Sequence, residues 1–140
     1  NSQAETGDMT MAGTTVFMHA KKQQSLQEIH EKIHYIEGSE QISKTAQKIN
    51  DVIIWTLVYE KYYFRVKGSA SLSIVLTEYG QEQSACVISS GGGGGITNTS
   101  FGANRSYAKA CVEVLEACGF RIVESDLDIH GKGCVQRFLD

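Results

Sequence analysis

His30-Glu31-Lys32-Ile33-His34 has the residue types and spacing of a zinc-hydrolase helix, H-E-x-x-H. Histidines four apart lie on one side of an α-helix, where both imidazoles can bind Zn²⁺. The glutamate between them can then serve as general base for a metal-bound water. Three features weigh against that chemistry here. Lys32 puts a cation between the two ligands, and the Gly and third His that metzincins carry downstream are absent, Glu37 standing in the glycine's place. Turning by about 100° per residue, His30 falls about 90° and His34 about 130° from the centre of the helix's apolar stripe. Both are therefore expected on a solvated flank, with no metal or cofactor. A minimal zinc hydrolase using His30, His34 and Glu31 is the third reading of the chain.

The glycine run Gly91 to Gly95 could cradle an anion on its backbone N–H groups, with Ser90 and Thr97 hydroxyls beside it. It lacks the Gly-Lys-Ser/Thr ending of a phosphate loop, and Ile96 to Phe101 reads as a short strand standing between it and the next helix. A plain turn is favoured. A small-ligand or anion site at Ser90, Gly91, Gly92, Gly93 and Thr97 is the second reading. Cysteine catalysis is a weaker prospect: Cys86 falls in a strand and Cys111 and Cys118 on an apolar helix face, so all three read as buried. Cys134, four residues after His130, is the one thiol with a histidine nearby in sequence.

The elements that must hold these residues are legible from periodicity. Residues 14–20 form a β-prone run. Ser25 and Glu28 make a capping box, and Leu26, Ile29, Ile33 and Ile36 recur at helical spacing behind it, with Gly38 as a stop, so a helix is predicted over 25–37. Residues 39–50 are polar and ambiguous. Val52 to Val66 is a long β-branched and aromatic strand, apolar on both faces near its start and hence interior to a sheet. Ala70, Leu72, Ile74 and Leu76 alternate with smaller or polar residues, and Ser84 to Ser89 returns the chain, completing a meander. A second helix is predicted over 103–118, closed by Gly119 and Phe120, before an edge strand at 121–124. The class is α+β: an antiparallel sheet of four to six strands with two helices packed on one face.

The 140 residues, 41% hydrophobic and 21% charged, fit one domain over 14–140. Residues 1–13 hold Glu5 and Asp8 and no apolar stretch, and are expected to be a disordered or non-native tail rather than a secretory signal. A net charge of −3 argues against nucleic-acid binding, and no apolar run suits a membrane helix. Four cysteines without a Cys-x-x-Cys pair suit a reducing cytoplasm.

Tyr59-Glu-Lys-Tyr-Tyr, Ala70-Ser-Leu-Ser-Ile-Val-Leu-Thr, Val87-Ile-Ser-Ser-Gly-Gly-Gly and the Phe101-Gly102 step into a helix together resemble a family of short bacterial proteins classed as a domain of unknown function. The resemblance spans about residues 14 to 118. It implies an α+β fold with a Ser-Gly-Gly turn after a β-meander, and no established activity. Two helices can cover only one face of such a sheet, so the other must expose an apolar patch that a homodimer would bury. The first reading is therefore a non-catalytic, self-associating cytoplasmic protein.

Overall fold

In the computed structural model, which describes residues 13–65, 67–91 and 99–125, every strand pairing is antiparallel. The elements in chain order are β1 (Thr14–Lys21), α1 (Leu26–Ile33), β2 (Glu40–Ile49), β3 (Val52–Tyr63), β4 (Gly68–Tyr79), β5 (Glu82–Gly91), α2 (Thr99–Ala117) and β6 (Arg121–Ser125). They form one six-stranded sheet in the order β2-β3-β4-β5-β1-β6. Both helices lie on one face, so the expected α+β architecture is the observed one.

Local chemistry explains each junction. Ser25 and Glu28 form the reciprocal capping box at the start of α1. Asn50 and Gly80, both at positive φ, take the first loop position of the β2–β3 and β4–β5 hairpins, as two-residue turns demand. Gly119, at φ 95°, ends α2 in a Schellman motif: its N–H donates to the Glu116 carbonyl, and the Phe120 N–H to that of Leu115. Phe120 then joins Leu115 in the core.

The strand periodicity decides the core. One face of the sheet presents Val16 and Met18, Leu57 and Tyr59, Leu72, Ile74 and Leu76, and Ala85 and Val87, all at 1% exposure or less. Ile29 and Ile33 of α1 and Tyr107, Ala108, Cys111 and Leu115 of α2 close over them. Of β2 the helices meet only its start, where His30 of α1 reaches Gln41, and every residue of the strand is exposed. Its outer edge carries Glu40, Lys44 and Lys48 and has a bulge between Gln41 and Ser43, devices that discourage uncontrolled edge pairing.

Several boundaries differ from expectation, β3 among them, which ends at Tyr63 rather than at Val66. Residues 40–49, too polar to classify from sequence, form a strand because β3 offers them a full backbone ladder. The first helix ends at Ile33 rather than at 37. Three-residue-spaced bonds, Tyr35 N–H to Lys32 and Ile36 N–H to Ile33, tighten the chain before Gly38 turns it at φ 77°. The short strand expected over 96–101 is not present at its far end: Thr99 to Phe101 already belong to α2, the helical register of its core face winning over their local β preference.

Candidate functional site

The H-E-x-x-H residues fall in three different environments. His30 is buried, at 6% exposure, which corrects the expected solvated flank. The cause is the breadth of the sheet: β3 and β2 extend past the edge of α1 and cover the side of the helix that its apolar stripe leaves bare. There the His30 ring lies 5.7 Å from the Trp55 ring, and its Nε2 is 2.8 Å from Gln41 Oε1. His34 is exposed but not isolated, its Nδ1 standing 3.0 Å from the Tyr59 hydroxyl. Glu31 faces solvent and accepts from Gln27 Nε2 at 3.1 Å, away from both rings' partners. Among the described residues no three His, Cys, Asp or Glu side chains converge to hold a metal ion. The three-ligand centre of a zinc hydrolase therefore has no counterpart there.

Hydrogen-bond logic assigns the protons in this cluster. Tyr59 donates to Gln41 Oε1 at 3.2 Å. That amide oxygen can only accept, so His30 Nε2 donates to it. Nδ1 is buried and meets no partner. The single Tyr59 proton is committed to Gln41, so the phenol oxygen accepts from His34 Nδ1–H. The two rings lie 4.8 Å apart, tilted by 51°. Lys44, brought to this side of the sheet by the bulge in β2, places its ammonium 4.8 Å from the Trp55 ring centroid. Sequence reasoning missed Gln41 and Tyr59 as partners of the histidines, since only strand register brings them together: Gln41 pairs directly with Tyr59.

Burial, with a smaller contribution from Cys111, pushes the Tyr59 phenol from 10.0 to about 12, and burial also raises Tyr107 to about 12. The folded protein thus favours the neutral phenols. Their contribution to stability is whole below pH 10, the unfolded value, and is lost as the pH climbs toward 12. Alkaline titration is expected to show a late phenolate absorbance step that coincides with loss of the far-ultraviolet dichroism of the fold, and Tyr59→Phe should shrink that step. A phenolate signal complete before any unfolding would contradict this.

Of the glycine-loop residues, Ser90 and Gly91 lie at the end of β5, whereas Gly92, Gly93 and Thr97 lie outside the described residues. Ser90 Oγ bonds Ser71 Oγ at 2.9 Å. Gly91 has φ 80°, and a Cβ there would stand 3.0 Å from the Ser69 carbonyl, so this position requires glycine for backbone reasons alone. Asn104 of α2, fully buried, takes a hydrogen bond from Thr14 at 2.7 Å and reaches the Gly91 carbonyl at 3.4 Å, fastening helix to sheet. His130 and Cys134 are likewise outside the described residues.

The sheet's second face is lined by register. Reading across β2, β3, β4 and β5, one row is Gln47, Ile54, Thr77 and Ser84; the next is Thr45, Thr56, Val75 and Cys86; the third is Ser43, Val58, Ser73 and Ile88. No described element lies over these rows. Across these four strands no charged side chain enters the three rows, and Glu40, Glu60 and Glu82 stand in the rows at either end. On β1 and β6 the register continues the same rows through His19 and Arg121 beside Ser84 and through Phe17 and Glu124 beside Cys86. Cys86, expected in the core, sits here half-buried, and Ile88 is 40% exposed. Burial raises the Cys86 thiol above its usual range.

An antiparallel six-stranded sheet, with helices on one side and no described element on the other, defines an α+β domain with one open face. The chain belongs to a family of unknown function, DUF6054, whose model matches residues 11–119. No curated protein matches it. Among the described residues no helix is long and apolar enough to cross a membrane.

Proposed function

We propose that this chain acts by self-association through the open face of its sheet, as a non-catalytic assembly module of a reducing, cytoplasmic compartment. The carrying observation is the composition of that face. Across β2 to β5, Ile54, Val58, Val75, Cys86 and Ile88 alternate with serine, threonine and glutamine, and the charged residues of these four strands stand in the end rows. Interfaces are depleted of charged residues at their centre, and these central rows share that depletion. Size agrees with the reading. Four strands about 4.8 Å apart, each contributing about eight residues of about 3.3 Å when one end row is counted with the three central ones, give a footprint on the order of 500 Å² per copy. Two copies would then remove on the order of 1,000 Å² from water, the lower bound for a stable interface. A second copy is the natural occupant because the uncharged rows of β2 to β5 meet themselves without repulsion. The free thiols of Cys86, Cys111 and Cys118 support the reducing compartment.

Cys86 reports on coverage of the face. Alkylation followed by peptide-resolved mass spectrometry is expected to slow at Cys86 as protein concentration rises, while the buried Cys111 and Cys118 stay unreactive throughout. A Cys86 rate independent of concentration would count against association through this face.

A further inference from the structure

We infer that two copies of this chain meet with their sheets nearly at right angles, the Glu40 carboxylate of each standing against Arg121 of the partner subunit. The inference rests on self-association through the open face. It adds the orientation of the two copies and the charges that select it.

Two observations carry this. First, apolar side chains of the open face lie on a diagonal. From Ile54 on β3 to Val75 on β4 to Ile88 on β5, each step goes one strand across and one row along, with Cys86 beside the line. Strands about 4.8 Å apart and rows about 6.6 Å apart incline this stripe by about 35° to the strands. A two-fold axis along it lets each of these side chains meet its own copy. The strands of the two sheets then cross at about 70°, close to the orthogonal class of sheet packing. Second, the face carries unpaired charge of opposite sign at two diagonal corners. Glu40 and Glu60 stand directly opposite each other on β2 and β3, where like charges weaken the ladder. Among the described residues neither forms an ion pair. At the other corner Lys21 and His19 are both held by Glu82, and Glu124, one row nearer the centre, has a partner in its own copy. Arg121, exposed beside His19 on the edge strand β6, forms no ion pair among the described residues. Turned about the stripe, the Glu40 corner comes over the opposite β6, within a few ångströms of the partner's Arg121. Sheets stacked about 10 Å apart leave a gap that a glutamate and an arginine can span between them.

The test exchanges the charges. Glu40→Lys and Arg121→Glu are made singly in the full chain and examined by native mass spectrometry, each alone and the two mixed in equal amounts. Both positions are exposed on edge strands, so the parental dichroism should persist. Each variant alone should dimerise at least about tenfold more weakly than the parent, because its homodimer sets like charges together twice. The mixture should form a heterodimer with a dissociation constant within about threefold of the parent's, since between unlike copies both contacts attract again. Single variants that dimerise as the parent does would overturn the Glu40–Arg121 contact and leave self-association standing. Weakened variants that do not recover on mixing would overturn the contact as well. A parent that stays monomeric throughout would overturn both this inference and the functional reading beneath it.

Discussion

Ile74→Ala is expected to lower the free energy of unfolding by about 2–5 kcal/mol, as measured by denaturant titration. Ile74 is fully buried on β4, with strands paired on both sides and the helix layer above it. The backbone there is held by two ladders and cannot move to fill the space, so the cavity term adds to the lost transfer energy. The loss should be the same at any protein concentration, because this side chain faces the interior of one copy. A cost below about 1 kcal/mol would mean that α1 and α2 do not pack on β4 as described.

The neighbouring residue should behave in the opposite way. Val75 points to the open face, in the central row between Thr56 and Cys86. Val75→Lys should leave the isolated fold within about 1 kcal/mol of the parent, since the lysine stem can lie along the sheet while its ammonium reaches water. Association should suffer far more. Each copy would carry a buried cation to the middle of the interface, and like charges placed there cost several kcal/mol, or at least about a hundredfold in dissociation constant. The expected result is a monomeric protein with parental dichroism and melting at low concentration. An unchanged assembly would move the interface elsewhere, with the exposed edge β2 as the next surface to test.

The contrast between Ile74 and Val75 was already legible in the alternation of 70–77, because a strand's period of two separates its faces before any partner is known. The capping box at Ser25 and the glycine end of α2 were legible for the same reason: each is settled by residues within one turn. What could not be read depended on distant partners. Residues 40–49 have no apolar period of their own and become a strand only because β3 lies alongside. His30 looked solvated because the helix wheel knows only α1, whereas its burial comes from Trp55 and Gln41 on strands that follow later in the chain. A helical start at Thr99 was hidden by a β-prone stretch whose preference tertiary packing overrides. Gln41, the residue on which the histidine cluster turns, carries no signal at all in the sequence, since its place beside Tyr59 follows from β2–β3 register.

Self-association is the claim on which the functional reading depends, and the mass of the unaltered protein in solution tests it most directly. Light scattering coupled to size exclusion, run from low to high micromolar concentration under reducing conditions, should give twice the chain mass of 15.4 kDa, falling toward 15.4 kDa only on strong dilution. A mass of 15.4 kDa at every concentration would contradict it.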